Sequence, residues 1–265
     1  RERKKDLEIF KTKLILPVTV YMDHEITFIE HLSELRGRII VCLVAVGIAS
    51  VACMSFAPHV LKILRLPIRG MLDKLVFFSP EEAFLIYMRL GLFCGLIFSM
   101  PVILYQVWSF CSPAMEEKMR KYSICFIISC FTVFILGGLF AYFIVIPPSL
   151  RFCLSFARDE LEPVISASKY ISFITALIIG CGLVFQMPIL SFLLAKLGII
   201  DARTLRKKYK YAIVVIFIAA AVITPTTDVF NMLILSLPLL LLYELSIWIA
   251  KGARMHQKIV SAEIK

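Results

Sequence analysis

Long apolar runs with little or no charge are the feature of this chain that most limits its fold. Six of them occur, at 39–57, 90–110, 123–146, 171–194, 212–225 and 229–249. A helix of about 20 residues crosses a hydrocarbon core of about 30 Å. We therefore predict an all-α, polytopic membrane protein with six transmembrane helices.

The composition agrees with that class, because 60% of the 265 residues are hydrophobic and the mean hydropathy is +0.88. The fifth run has only 14 residues up to Pro225, and the sixth contains Pro238. We expect both of these helices to be too short for an undistorted bilayer. They would thin the membrane locally or pack against the longer helices.

The distribution of Lys and Arg predicts the orientation of the chain. The N-terminal segment, the 2–3 and 4–5 loops and the C-terminal tail together carry 21 of the 29, and the two remaining loops carry 8. Since positive charge collects on the cytoplasmic side, both termini should be cytoplasmic. The net charge of +10 then reflects membrane topology. No nucleic-acid partner is expected, because basic residues interleaved with aromatics on a soluble surface are missing.

Catalytic signatures are absent from the sequence. There is no H-E-x-x-H, no G-x-S-x-G and no phosphate-cradling glycine loop, and the four histidines lack metal-ligand spacing. We expect no enzyme activity, no metal and no cofactor. The predicted organisation is a disordered basic extension at 1–22, a single membrane domain at 23–250 and a cytoplasmic tail at 251–265.

The segment before the first run predicts a short amphipathic helix at the membrane surface. On a helical wheel Leu32 and Leu35 fall near Phe28, whereas Glu30 and Glu34 fall on the opposite side. The helix would lie on the bilayer or on a neighbouring helix and expose its two carboxylates to water. Such a surface is suited to a positively charged ligand.

Several short motifs occur in a definite order relative to the six runs. They read HLSELRGR (31–38), SPEEAF (79–84), PVILYQVWSF (101–110), PAM (113–115), FAYF (140–143), TPTTDVF (224–230) and LLLLYE (239–244). In order and spacing they resemble the TatC family, the polytopic receptor subunit of the twin-arginine protein translocase. The resemblance implies a glove-like, concave bundle of six helices that exports folded proteins using the proton-motive force.

The resemblance also implies where a twin-arginine signal peptide would bind. Glu34 matches the family's signal-binding glutamate, and Arg36 and Phe110 match family positions near it. The family's second glutamate falls on Met119 here, so we expect Glu116, three residues earlier, to replace it. Each position has a simpler explanation: a solvated helix face for the glutamate at 34, a positive-inside anchor for the arginine, and an interfacial aromatic for the phenylalanine.

Three polar residues within or beside the spans match family positions linked to partner helices or transport. Gln186 could bond a partner helix, or satisfy the backbone freed by Pro188. Asp228 could act in transport, or cap the sixth helix. Glu244 matches an acidic family position, or simply reaches the membrane interface.

The resemblance implies TatA- and TatB-like single-span partners and a homo-oligomer within a receptor complex in the inner membrane. Two other interpretations stay open. A proton-coupled transporter of small solutes would need an ionisable pair near the midplane and internal repeats, and neither is evident. A structural scaffold without signal recognition would agree with the missing second glutamate.

Overall fold

The structure is a computed structural model that describes the backbone at 28–68, 75–111, 123–155, 165–196, 198, 200–224 and 228–263. Side chains are described from 33 to 252 within the same ranges, to residue 110 in the second of them. Every regular element in these ranges is helical, apart from an isolated bridge between Val76 and Ser166. The all-α prediction is confirmed.

The chain divides into two compact units, residues 1–39 and 40–265. The boundaries predicted at 22 and 250 stay a prediction. The helices are α1 (Phe28–Cys53), α2 (Ala57–Leu64), α3 (Pro80–Cys111), α4 (Ser123–Phe140), α5 (Ile146–Ser155), α6 (Ala167–Val184), α7 (Met187–Lys196), α8 (Ala202–Lys207), α9 (Tyr209–Ile223) and α10 (Val229–Glu263).

Five helical segments of the described chain are long and apolar enough to cross a membrane: 33–68, 80–110, 123–155, 167–196 and 229–252. The predicted fifth span, α9, has 15 residues and is short as expected. The last span differs from the prediction. Helix α10 continues through Pro238, and its apolar part is long enough to cross the bilayer.

Prolines set the breaks in the third and fourth spans. The fourth span turns at Phe185 and Gln186 and resumes as α7, with Pro188 in its first turn, where the missing N–H is not needed. In the third span a π-helical turn, Ala141–Val145, precedes Pro147 and Pro148 and leads into α5. Helix α3 continues through Pro101.

The described parts of the stretches 58–89 and 147–170 are largely helical. They contain α2, the beginnings of α3 and α6, and most of α5, which includes Cys153. The hydroxyl of Tyr142 donates to Ile63 O (2.7 Å) and that of Tyr170 to Leu64 O (2.8 Å). These bonds attach the end of α2 to the third and fourth spans.

Glycines allow the membrane helices to approach closely. A Cβ on Gly95 would lie 2.5 Å from the Ser50 Cα, and one on Gly182 would lie 2.7 Å from the Phe134 ring. Gly91 and Gly95 form a G-x-x-x-G pair in α3, the spacing that lets membrane helices pack backbone to backbone. The crossings of the spans therefore depend on residues without side chains.

Candidate functional site

Glu34 lies on α1 and pairs with an arginine of the same helix. Arg38 donates to Glu34 Oε1 from Nε (3.1 Å) and from Nη2 (2.5 Å). The glutamate side chain is 37% exposed. The separation of four residues places the two groups on one helix face, as is common for ion pairs. Both described bonds fall on one oxygen, so the carboxylate binds a guanidinium while keeping an exposed surface.

The segment around Glu34 differs from the prediction in one respect. Helix α1 runs without interruption from Phe28 into the first apolar run, so residues 28–38 belong to the same helix as the span and do not form a separate surface helix. Arg36 is exposed. The side chain of Glu30 lies outside the described residues.

Of the other predicted signal-binding positions, one lies at the end of α3 and two are not described. Phe110 is half-buried near that end, whereas Glu116 and Met119 lie outside the described residues. The replacement of the second glutamate by Glu116 therefore stays a prediction. Trp108 is buried, and its ring centroid lies 4.3 Å from that of Phe126, so this indole serves packing between the second and third spans.

An apolar cavity of about 430 Å³ adjoins the Trp108 ring. Its walls come from the second, third, fourth and sixth spans, near the ends that the charge distribution predicts to be cytoplasmic. It is lined by Trp108, Cys125, Phe126, Ser129, Pro188, Ile189, Phe192 and Ile249. Such a lining accepts an aliphatic or aromatic group and offers little to a charged one.

Gln186 joins the fourth span to the third. Its Nε2 donates to Cys130 O over 3.0 Å, at the turn between α6 and α7. The amide thus bonds a helix of its own chain, and its described hydrogen bond does not involve the backbone freed by Pro188. A bond to a partner helix stays a prediction. Because the bond lies among apolar side chains, we expect it to stabilise this break.

Asp228 caps α10. Its Oδ2 accepts from the Asn231 backbone N–H (2.9 Å) and its Oδ1 from the Asn231 side-chain amide (3.1 Å). The same amide donates to Cys153 Sγ (3.3 Å), and the rings of Phe152 and Phe230 stack 3.7 Å apart. The cap therefore also holds the start of the last span against α5.

Glu244 lies in α10 and accepts hydrogen bonds from two side chains. Arg206 in α8 donates to Glu244 Oε1 (2.5 Å), and Trp248 Nε1 donates to the same oxygen (3.1 Å). The Tyr243 hydroxyl donates to Leu205 O (2.9 Å) nearby. These contacts fasten the connection between the fourth and fifth spans to α10.

Two of these partners were not anticipated from the sequence. The pairing of Arg38 with Glu34 could have been predicted from the sequence, because the two residues are four positions apart on one helix. That of Arg206 with Glu244 had none, because 38 residues separate them and only the packing of α8 on α10 brings them together. Within the described residues no group of three or more His, Cys, Asp or Glu could hold a metal ion.

Comparison with known proteins assigns these helices to a family. The family model described as "Sec-independent protein translocase protein (TatC)" matches residues 30–238. The chain belongs to the TatC family. It is 40% identical to the Sec-independent protein translocase protein TatC of Carboxydothermus hydrogenoformans over 229 residues, which is 86% of this chain and 94% of that protein.

More distant TatC relatives agree with this assignment. The chain is 31% identical to the chloroplastic TATC protein of Pisum sativum over 92% of its own length and 68% of that protein. A solved structure, the crystal structure of twin arginine translocase receptor TatC, superposes with a TM-score of 0.78 at 39% identity and covers 85% of this chain and 100% of that one. This TatC chain is accordingly a multi-pass membrane component of a protein translocase and not an enzyme.

Proposed function

We propose that this chain is the signal-peptide receptor and assembly platform of a twin-arginine translocase. It exports folded proteins across the inner (cytoplasmic) membrane, driven by the proton-motive force. The observation that carries the proposal is the Glu34 carboxylate, which already binds a guanidinium and stays 37% exposed. The likeness to a solved protein that is called a twin arginine translocase receptor supports the same function.

A carboxylate suits an arginine signal because the planar guanidinium donates two parallel hydrogen bonds to it. In the structure Arg38 occupies Oε1 of Glu34. A signal arginine would bind at Oε2 or replace Arg38, with Arg36 beside the site.

One carboxylate is not enough to select a pair of arginines. A charge-assisted hydrogen bond contributes about 1.5–3 kcal/mol, and an exposed ion pair only about 0.2–1 kcal/mol. A second acceptor is needed, and we assign Glu116 to that role, with Phe110 and Met119 as further residues of the proposed binding set. The apolar part of the signal would follow between the spans, where the cavity next to Trp108 accepts apolar groups.

Export also requires partners, which we assign to TatA- and TatB-like single-span proteins and to further copies of this chain. Helix α9 supports such an assembly, because its 15 residues extend about 22 Å and leave a hydrocarbon core of about 30 Å incompletely spanned. Both termini would be cytoplasmic, because Lys and Arg are in excess in the two tails and in the 2–3 and 4–5 loops.

Site-specific photocrosslinking tests the receptor function. A photoreactive amino acid is placed at positions 34, 110, 116 and 119, and the chain is mixed with a signal peptide carrying Arg-Arg or Lys-Lys. We expect strong crosslinks at 34 and 116 that require Arg-Arg. A probe at position 48, in the exposed middle of α1, serves as a control for contact with any apolar peptide.

The remaining outcomes separate the alternatives. Crosslinks at 34 without any at 116 would contradict the assigned second acceptor and indicate a one-carboxylate site. Crosslinks at none of the positions would favour a scaffold. Uptake of a small solute by liposomes containing only this chain would favour a transporter.

A further inference from the structure

Arg89 stands at the membrane boundary of the second span. It lies in the third turn of α3 and is the last charged residue before a charge-free stretch from 90 to 115. Lys169 has the same position in the fourth span, since the sequence from 170 to 195 is also free of charge. Each stretch is long enough to cross a hydrocarbon core, so we expect both cations to lie near the lipid headgroups.

The guanidinium of Arg89 is held by neutral acceptors. Its Nη1 donates to Ser168 O (3.3 Å) and Ser168 Oγ (3.1 Å), and also to Ser172 Oγ. These bonds join α3 to the start of α6 and fix the position of the charge. The described bonds use one of the three guanidinium nitrogens, and the arginine side chain is exposed.

No carboxylate neutralises Arg89 within the described residues, where the ion pairs are Glu34–Arg38 and Glu244–Arg206. Glu82 lies about two turns nearer the start of α3. It accepts from the Phe78 backbone N–H (3.1 Å) and from the Ser166 hydroxyl (3.5 Å). The described contacts of the Arg89 guanidinium are thus all to uncharged serine oxygens.

We propose that Arg89 and Lys169 bind the phosphate of an anionic phospholipid, with Ser168 and Ser172 orienting the guanidinium. A phosphodiester presents two oxygens that a guanidinium fork binds in parallel, and a lysine adds a second positive charge. We assign a lipid and not a soluble anion to this site because both cations lie where two charge-free spans begin. With the termini cytoplasmic, as in the proposed function, the lipid belongs to the outer leaflet; binding itself does not depend on the orientation.

Equilibrium binding of fluorescent phosphatidylglycerol to the purified full chain in a neutral detergent tests this site. Phosphatidylcholine with the same acyl chains and inorganic phosphate are measured beside it. We expect phosphatidylglycerol to bind most tightly, and Arg89→Gln to weaken it about tenfold, as loss of a charge-assisted pair does. Arg89→Lys should retain part of the affinity, since it keeps the charge and loses the fork.

The matched control is Arg151→Gln, which removes one positive charge from an exposed residue of α5 that has no described hydrogen bond. An equal loss of binding in this variant would overturn the proposal, because attraction would then depend only on net charge. Unchanged binding by Arg89→Gln would also overturn it and leave Arg89 as a clamp between two helices. Competition by inorganic phosphate as strong as that by the lipid would contradict the lipid source.

Folding is checked by the unfolding temperature without lipid. If Arg89→Gln does not fold, Lys169→Gln replaces it, and we expect that variant to weaken phosphatidylglycerol binding while Arg151→Gln does not. None of these measurements involves a signal peptide. A failure here and a failure of signal recognition are therefore distinguishable.

Discussion

The Glu34 carboxylate accepts two hydrogen bonds from a guanidinium four residues along its own helix. Such an exposed pair contributes only about 0.3–0.5 kcal/mol to stability. The same chemistry is worth more when a peptide arginine is partly desolvated against the carboxylate. We therefore expect changes at this residue to affect recognition much more than folding.

Replacing Glu34 by Gln keeps the shape of the side chain and removes its charge. We expect binding of an Arg-Arg signal peptide to weaken about 10- to 100-fold, the loss of one charge-assisted interaction. The unfolding temperature should hardly change. Titration of the purified chain with the peptide measures the binding affinity, and thermal unfolding measures the unfolding temperature. Glu30→Gln is the matched control, and an equal effect of that change would contradict a special role for Glu34.

The Asp228 cap leads to a second prediction at this scale. Asn caps helices about as well as Asp but has one acceptor oxygen, so Asp228→Asn should keep the bond from the Asn231 N–H, lose the one from the Asn231 side-chain amide, lower stability only slightly and retain export. Asp228→Ala should lower the free energy of unfolding by about 1 kcal/mol, because the Asn231 N–H loses its acceptor. Chemical unfolding and an export assay in cells measure the two effects. If the Asn variant is stable but fails to export, the charge itself acts in transport.

Close helix approach decides how the spans pack against one another. Between lipid-embedded helices there is little hydrophobic driving force, so contact depends on small residues and van der Waals packing. At Gly95 an added Cβ would meet the Ser50 Oγ and, at 2.5 Å, the Ser50 backbone, which cannot move aside easily. At Gly91 the nearest neighbour is the Met54 side chain, which can.

Alanine substitutions should reveal this difference. We expect Gly95→Ala to lower the free energy of unfolding in detergent by about 1–3 kcal/mol, the usual effect of overpacking. Gly91→Ala should lower the free energy of unfolding by less than Gly95→Ala does. Gly47→Ala, where a Cβ meets nothing within 4 Å, should be neutral or stabilising by up to about 1 kcal/mol through helix propensity. A loss at Gly47 as large as that at Gly95 would contradict the packing argument.

The whole molecule combines five membrane-length segments with one short helix. Its positive charges are concentrated in the two tails and in the connections before α4 and α9. Because positively charged segments resist transfer across the membrane, this distribution favours a single orientation. In that orientation, basic residues such as Arg89 would be exceptions on the opposite side.

Reporter fusions test that orientation. A fluorescent protein fused after Lys265 should fluoresce, and alkaline phosphatase fused there should stay inactive, because we expect the tail to be cytoplasmic. Phosphatase inserted after Leu72 should be active. Activity of the C-terminal phosphatase fusion would contradict the orientation. Arg254→Gln together with Lys258→Gln, which weakens the tail's charge, should not reverse the result, since the tail is one of four basic segments.

Much of the fold followed from local composition. Charge-free runs predicted the membrane helices because a hydrocarbon environment admits few other segments of that length. The break at Pro188 and the shortness of α9 were also readable, as both depend on a few neighbouring residues. The extension of α10 through Pro238 was not, because proline is tolerated in a membrane helix when the surroundings satisfy the freed backbone.

Some features of the candidate site could likewise be predicted from the sequence, and others could not. Sequence alone determined the helical class, the family resemblance and the carboxylate at 34, since each rests on local pattern or on ordered motifs. Only the tertiary structure decided that Gln186 bonds Cys130 and that Arg89 meets Ser168 and Ser172. These contacts join residues 56 to 83 positions apart. Their geometry depends on how the helices cross, which no local pattern encodes.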